Sequence, residues 1–160
     1  LLTLLAERAQ GQGVGVDVSS QALKVAEANA KALDVQSRAT FLNSHWLDKV
    51  VGRFDMIVSN PPYISDAEMA ELDKNVLDYD PHLALHGGED GLDPYRLISA
   101  EAQKYLRPEG WLLFEIGHTQ GPQVCAMMRQ SGFLEISVLP DLAARDRVVM
   151  GRVAGVSERK

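Results

Sequence analysis

Several features that define other protein classes are scarce in this 160-residue sequence. It has one cysteine, Cys125, so neither an internal disulfide nor a thiolate metal cluster can form. The four histidines do not form the H-E-x-x-H motif of metalloproteases. No long apolar run suggests a membrane span or a signal peptide. The net charge of −6 argues against the broad basic face of a free-standing nucleic-acid binder. We therefore expect a metal-free protein of the reducing cytoplasm.

A glycine loop of the dinucleotide-binding kind is also missing. Gly11, Gly13 and Gly15 do not fit the G-x-G-x-x-G pattern, and they follow a predicted helix rather than a strand. We interpret them as the turn into the first visible strand. A nucleoside cofactor needs a first strand and a glycine loop upstream of Leu1. The chain is therefore expected to be a piece of a longer protein and to bind such a cofactor poorly by itself.

What is present is an alternation of short apolar runs and amphipathic segments. The predicted strands are residues 14–18, 39–42, 54–58, 111–116, 133–139 and 147–153. The predicted helices are residues 1–10, 20–33, part of 65–79, 94–106 and 120–131, with 80–93 as a long loop. This order predicts an α/β fold with a mainly parallel sheet that ends in an antiparallel pair. We expect one domain over residues 1–155 and a frayed tail over residues 156–160.

Polar or aromatic residues follow two of these strands. Asp17 ends the first visible strand, and the carboxyl ends of parallel strands are where α/β sheets bind ligands. Its two oxygens could accept from both ribose hydroxyls of a nucleoside, or it could cap the next helix. Trp46 follows the second strand and could pack beside an adenine ring or in the core. Glu115 is interpreted as the end of a strand, and Asp146 with Arg147 as a structural ion pair or a turn.

The segment Asn60-Pro61-Pro62-Tyr63 follows the strand at residues 54–58. Each proline restricts its own φ and favours an extended conformation for the residue before it. Because prolines donate no hydrogen bonds, the segment presents acceptors. The Asn60 side-chain oxygen and the Pro61 carbonyl could accept from one NH2 group, and Tyr63 offers a flat face for a planar group. The alternative interpretation is a rigid turn after a strand.

Two fixed acceptors suit a poorly nucleophilic, conjugated nitrogen such as that of an amide or an aminopurine. They raise its electron density, orient it toward a methyl donor and stabilise the charge that develops on it. A strong general base is not required, because the methylated nitrogen is acidic enough to lose its proton to water. The pattern thus predicts methyl transfer to a planar nitrogen.

Three segments resemble the HemK-type release-factor glutamine methyltransferases. They are FDMIVSNPPYI at residues 54–64, ALHGGEDGLD at 84–93 and EIGHTQG at 115–121, and residues 141–151 resemble that family's closing hairpin. Asn-Pro-Pro-Tyr alone is shared with adenine-specific DNA methyltransferases and some RNA guanine methyltransferases. The Gly-Gly-Glu-Asp-Gly-Leu-Asp stretch is narrower and separates this family from the nucleic-acid enzymes.

The resemblance implies a Rossmann-like class I methyltransferase fold that uses S-adenosylmethionine, with the first strand missing here. It implies a peptide chain release factor as partner and the glutamine of its Gly-Gly-Gln motif as methyl acceptor. Asp17, Val18 and Trp46 would bind the cofactor, and Asn60 would touch both cofactor and substrate. Pro61, Pro62 and Tyr63 would complete the glutamine pocket, with Asn60, Pro61 and Tyr63 serving catalysis. One departure is His45, where the family has an acid near the adenine amino group.

Three alternatives remain open. A sister enzyme that modifies a ribosomal-protein glutamine would use identical chemistry. An adenine-specific nucleic-acid methyltransferase would place a flipped base in the same acceptor loop, although the acidic composition argues against it. The third alternative is an inactive binding module, which transfer of any methyl group by a longer version of the chain would exclude. We expect no membrane partner and no direct nucleic-acid contact.

Overall fold

The computed structural model describes residues 2–71 and 82–156. It divides into two compact units with the boundary between Gly52 and Arg53, and each unit is described by itself. None of the described helices is long and apolar enough to cross a lipid bilayer.

The first unit is a small α/β layer. Its elements are α1 (Leu2–Glu7), β1 (Gly13–Asp17), α2 (Ser20–Ala32) and β2 (Ala39–Asn43). The two strands pair in parallel, with Asp17 opposite Asn43 at their carboxyl ends. Helix α2 starts where predicted because the Ser19 hydroxyl accepts from the Ala22 amide at 3.2 Å, as an N-cap should. Leu5, Ala30 and Val35 form its buried apolar cluster.

One arginine closes the connection between α1 and β1. The Arg38 guanidinium donates to the carbonyls of Leu5 at 2.6 Å, Arg8 at 2.8 Å and Gly11 at 2.9 Å. Carbonyls at a helix end have no partner within the helix, so this side chain satisfies groups that would otherwise need water. Gly11 therefore lies in the turn before β1, as predicted, whereas the same prediction was wrong for Gly13 and Gly15, which lie within the strand.

The second unit carries most of the core. Its elements are β3 (Phe54–Ser59), α3 (Asp66–Glu71), α4 (His82–Leu85), α5 (Asp93–Ala102), β4 (Leu106–Glu115), α6 (Gly121–Gln130), β5 (Leu134–Pro140) and β6 (Asp146–Arg152). Among the described residues the sheet order is β3-β4-β6-β5. Strand β3 is parallel to β4, whereas β6 is antiparallel to both β4 and β5. The predicted closing antiparallel pair is confirmed.

Helices α5 and α6 pack their apolar sides against β4 and β6. The rings of Tyr95 and Phe114 meet edge to face with centroids 5.2 Å apart, and both side chains are fully buried. The other buried members of this core include Ile98, Ala102, Leu112, Val124, Met128 and Val149. This packing fixes the carboxyl end of β4 and the start of α6, which border the site described below.

The boundary between α5 and β4 differs from the prediction. The helix predicted over residues 94–106 ends at Ala102, and the strand predicted from Trp111 begins at Leu106. Pro108 does not end the strand, because it lies at a point where β4 is not paired with β3 and its missing N–H leaves no ladder hydrogen bond unmade. Leu106 pairs with Phe54 and Trp111 with Met56, so β4 carries extra residues as a bulge in which Glu109 has a φ of 65°.

The remaining predictions concern loops and the last residues of the chain. The segment predicted as one long loop over residues 80–93 contains α4, although residues 80 and 81 lie outside the described residues. The partial helix predicted over residues 65–79 is α3 as far as Glu71, and the rest lies outside them. Arg147 contacts Asp141 at 3.4 Å and not Asp146, because Asp146 starts β6 while Asp141 lies in the adjoining hairpin loop. The predicted tail beyond Val156 also lies outside.

Candidate active site

The Asn-Pro-Pro-Tyr segment leaves the carboxyl end of β3, where Ser59 pairs with Phe114 of β4. Asn60 is exposed, whereas Pro61 is fully buried. Pro62 and Tyr63 are half-buried. The buried proline anchors the segment in the core and leaves the Asn60 side chain at the surface. We call residues 60–63 the acceptor loop.

The residues that follow the acceptor loop pair with the glycine-rich segment at residues 87–92, which we call the glycine loop. The Ile64 amide donates to the Leu85 carbonyl at 3.0 Å, and the Gly87 amide donates to the Ile64 carbonyl at 2.8 Å. Ile64 and His86 form an isolated parallel bridge. The two loops are therefore joined by backbone hydrogen bonds as well as by packing.

Two glycines allow this close approach. A Cβ at Gly87 would lie 2.9 Å from the Pro62 carbonyl oxygen and 2.9 Å from the Tyr63 Cα. A Cβ at Gly91 would lie 2.3 Å from the Tyr63 carbonyl oxygen, and Gly91 has a φ of 74°. Side chains at these positions would displace the acceptor loop. The glycine loop is thus the direct support of the acceptor loop.

Charged groups hold the shape of the glycine loop. The Arg96 guanidinium contacts both carboxylate oxygens of Asp90 and donates to Asp93 at 2.7 Å. The Leu92 amide donates to Asp90 at 3.2 Å. These hydrogen bonds, that to Arg96 foremost, hold the pKa of the Asp90 carboxyl below its usual value. The ionised carboxylate of Asp90 is therefore the form that stabilises the folded glycine loop.

Only some of the acceptors in and next to the acceptor loop are hydrogen-bonded within the protein. The Tyr63 carbonyl accepts from the Gln120 side chain at 3.0 Å, and the carbonyl of the next residue, Ile64, accepts from the Gly87 amide. Among residues 2–71 and 82–156, no hydrogen bond uses the Asn60 side chain, the Pro61 carbonyl or the Pro62 carbonyl. The two acceptors that the sequence singled out are therefore among those without a partner in the described residues.

In the first unit, Asp17 ends β1 as predicted, and it also takes the capping role that was the alternative. Its Oδ1 accepts from the Ser19 amide at 2.7 Å, and no described residue bonds to its Oδ2. The Asn43 amide group donates to the Val18 carbonyl at 2.7 Å and to the Asp17 carbonyl at 3.3 Å. Sequence reasoning missed Asn43; its position at the end of β2, opposite Asp17, was the available signal.

Trp46 lies three residues beyond β2 in a tight turn. It is half-buried, and its φ of 45° is unusual for a bulky residue. Its ring meets that of His45 edge to face with centroids 5.8 Å apart. The exposed His45 lies 3.8 Å from Asp48, so a carboxylate is present close to the position where an acid was expected.

Within the first unit the structure brings Asp17 and Val18 together with Asn43, and it places Trp46 in the turn that follows β2. Within the second unit it brings Asn60, Pro61, Pro62 and Tyr63 together with the glycine loop and Gln120. Glu115 is the last residue of β4, as predicted. Asp17 and the acceptor loop were predicted from their positions after two strands, whereas Gln120 and Asn43 were not predicted.

Residues 1–89 match the family model described as methyltransferase small domain. The chain belongs to this methyltransferase family. The match covers the first unit, the acceptor loop and the start of the glycine loop.

Curated relatives extend the likeness over nearly the whole methyltransferase chain. A release factor glutamine methyltransferase of Cereibacter sphaeroides is 49% identical over 95% of this chain and 55% of the relative. One from Agrobacterium fabrum is 44% identical over 94% of this chain and 52% of the relative. The resemblance to this group is confirmed. The chain spans about half the length of these relatives.

Solved methyltransferase structures confirm the predicted fold. A methyltransferase from Pyrococcus furiosus superposes with a TM-score of 0.71 at 16% identity, over 96% of this chain and 68% of that one. An RNA methyltransferase from Salinibacter ruber in complex with S-adenosyl-L-homocysteine gives 0.56 at 12% identity, over 96% and 72%. At such identities the likeness shows the Rossmann-like fold alone.

Proposed function

We propose that this protein transfers a methyl group from S-adenosylmethionine to the side-chain amide nitrogen of the glutamine in the Gly-Gly-Gln motif of peptide chain release factors. The observation that carries the proposal is the acceptor loop. Its Asn60 side chain and Pro61 carbonyl have no hydrogen bond to any described residue, while its other end is held by the glycine loop. The name shared by the curated relatives supports the same acceptor.

The acceptor loop acts on the nucleophile. Asn60 Oδ1 and the Pro61 carbonyl accept the two hydrogens of the glutamine NH2 group, which raises electron density on its nitrogen. Because both acceptors are fixed before the substrate arrives, little reorganisation is needed as positive charge develops on that nitrogen. They also orient the nitrogen for in-line attack, which lowers the entropic cost of the reaction.

Tyr63 supplies a flat surface for the planar amide. Its ring packs close to Gly117, where a Cβ would lie 3.4 Å from the ring's Cδ2. The half-buried ring keeps one part in contact with the protein while the rest remains accessible. A planar group stacks on such a ring at small entropic cost, because the ring is already confined.

The first unit has donors and acceptors that fit a nucleoside. Asp17 Oδ2 has no described partner, so the carboxylate can accept from ribose hydroxyls while Oδ1 caps α2. Val18 lies beside it with its side chain 47% exposed, and Trp46 offers a ring for adenine. When bound, S-adenosylmethionine supplies a methyl group on a positively charged sulfur, and a C–N bond forms as the C–S bond breaks.

The product nitrogen loses its extra proton to water, since an N-alkylated, protonated amide is strongly acidic.

The proposed partner is a release factor and not a nucleic acid, because a net charge of −6 disfavours binding to a phosphate backbone. A single cysteine fits a reducing cytoplasm.

The test combines the full-length protein and labelled S-adenosylmethionine with three acceptors in parallel: a release factor, ribosomal proteins and adenine-containing DNA. We expect label in the release factor and none in a release factor whose Gly-Gly-Gln glutamine is replaced by alanine. Label in ribosomal protein or DNA alone would overturn the proposed acceptor. Absence of label in all three would overturn the activity.

A further inference from the structure

The side-chain amide of Gln120 has hydrogen-bond partners on both its nitrogen and its oxygen. Its Nε2 donates to the Tyr63 carbonyl at 3.0 Å and to the Gly91 carbonyl at 3.2 Å. Its Oε1 accepts from the Gly117 amide at 3.0 Å, and the Tyr95 hydroxyl lies 3.5 Å from the same oxygen. A primary amide has two donor hydrogens and two acceptor lone pairs, and both hydrogens and one lone pair have close partners here. Reversing the amide would set oxygen against two carbonyls, so its orientation is fixed.

These four partners belong to four segments of the second unit. Tyr63 ends the acceptor loop, Gly91 lies in the glycine loop, Tyr95 lies on α5, and Gly117 lies in the turn between β4 and α6. Burial raises the pKa of Tyr95, so its hydroxyl remains protonated and able to donate. Its single hydrogen is directed chiefly at the Glu115 carbonyl, which lies at 3.0 Å, so its contact with Gln120 is the weakest of the four. Gln120 is therefore a single group on which the supports of the acceptor loop converge.

We propose that Gln120 is a positioning residue for methyl transfer: its amide holds the Tyr63 backbone, and thereby the substrate-facing ring and acceptors of residues 60–63, against the glycine loop. The inference rests on the proposed function of the acceptor loop. In this role, Gln120 sets the geometry of the reacting atoms without touching them.

The physical reason lies in which carbonyls Gln120 satisfies. A Cβ on Gly91 would lie 2.3 Å from the Tyr63 oxygen, and the Tyr63 and Gly91 carbonyls both accept from Gln120 Nε2. One NH2 group that donates to both carbonyls therefore ties the two loops together. Without it, the glycine loop and the acceptor loop would separate, and the Asn60 and Pro61 acceptors would lose their fixed direction.

The test uses two substitutions of similar volume and one control. Gln120→Met removes the donors and the acceptor. Gln120→Glu retains an oxygen for the Gly117 amide but places a carboxylate against the Tyr63 and Gly91 carbonyls. The control is Gln130→Met, the same change at the exposed last residue of the same helix. Melting temperatures of all three identify any variant that fails to fold.

The first measurement compares the effect of each substitution on kcat/KM for the methyl acceptor with its effect on the binding of S-adenosylmethionine. Loss of two net hydrogen bonds corresponds to roughly a tenfold to hundredfold fall in kcat/KM for the methyl acceptor. Binding of S-adenosylmethionine should stay within about twofold, because Asp17, Val18 and Trp46 lie in the first unit and Asn60 is the one group assigned to it in the second. Gln120→Glu should regain activity relative to the unsubstituted protein as pH falls toward about 5, where a protonated carboxyl can again donate. Gln130→Met should change none of these.

The second readout does not depend on activity. Amide hydrogen exchange at Ile64 and Gly87 should become faster in Gln120→Met, while exchange within β4 stays unchanged. Unchanged exchange at both amides, or a kcat/KM equal to that of Gln130→Met, would overturn the positioning role. If the unsubstituted protein methylates ribosomal protein or DNA instead of the release factor, the proposed acceptor is wrong. The same variants are then compared on the acceptor that is methylated. If it labels none, hydrogen exchange alone decides the positioning role.

Discussion

The two units each carry a functional loop at the carboxyl end of a parallel strand, but they support those loops differently. The loop after β1 is held by its own helix cap and by one neighbour, Asn43. The loop after β3 is held by backbone pairing, by glycines that permit close packing and by the Gln120 amide. A group that only binds a ligand tolerates local support, whereas acceptors that must be preorganised for a reaction need support from several directions.

The contrast predicts that changes in the second unit act mainly on turnover and changes in the first unit mainly on cofactor affinity. Four substitutions test it, taken from the largest expected effect to the smallest.

Asn60→Ala removes one of the two free acceptors of the acceptor loop. We expect kcat to fall by roughly two to three orders of magnitude, as for the loss of one oriented polar group in a preorganised site. Binding of the release factor should change far less. The matched control is Asn29→Ala on the exposed side of α2. An unchanged rate in single-turnover assays would remove Asn60 from the mechanism.

Gly91→Ala places a methyl group against the Tyr63 carbonyl at a position with a φ of 74°. Backbone strain alone costs about 1–3 kcal/mol, and the clash displaces the acceptor loop as well. We expect a lower melting temperature together with a fall in kcat of roughly tenfold or more. Gly52→Ala separates the two causes, because Gly52 has a φ of 103° with nothing within 4 Å of the added Cβ. Equal kcat in both variants would show that the contact with Tyr63 does not matter.

Asp17→Asn keeps an oxygen for the Ser19 amide but removes the negative charge. Bonds from ribose hydroxyls to a neutral amide are weaker than to a carboxylate, so we expect the Kd for S-adenosylmethionine to rise about tenfold. At saturating cofactor, kcat should stay within about twofold. Isothermal titration checks the first value, with Asp34→Asn as the exposed control. A fall in kcat without a change in Kd would reverse the assignment of this unit.

Asp90→Asn tests the salt bridge within the glycine loop through the pH dependence of stability. The pKa of Asp90 is depressed in the folded protein, mainly by Arg96, so its contribution is present above the unfolded pKa of about 4. That contribution is lost as pH falls through the lower folded value. The variant should therefore be less stable at neutral pH, and its unfolding free energy should fall less steeply below about pH 4. Parallel denaturation curves at every pH would contradict this.

Much of the site could be predicted because its signals are local in sequence. Asp17 and the acceptor loop both follow short apolar strands, and two consecutive prolines restrict the backbone whatever surrounds them. Gln120 could not be found in this way. Its partners Tyr63 and Gly91 lie 57 and 29 residues away, so only the folded chain brings them together.

The misplaced boundary between α5 and β4 has a similar cause. The local sequence at Pro108 and Gly110 predicts the end of a helix. Pairing with β3 and the bulge at Glu109 instead allow the strand to continue through both residues. Tertiary pairing outweighed local propensity there. By contrast, the start of α2 was predictable because the Ser19 cap acts within three residues.

The central claim is that the acceptor loop methylates a planar amide nitrogen, and the most direct test is the position of the methyl group. Fragment-ion mass spectrometry of a release factor after reaction should locate one methyl group on the side-chain nitrogen of the Gly-Gly-Gln glutamine. With the Asn60→Ala variant, that modified peptide should be nearly absent at the same time point. A methyl group on any other residue, or an equal yield from the variant, would contradict the account.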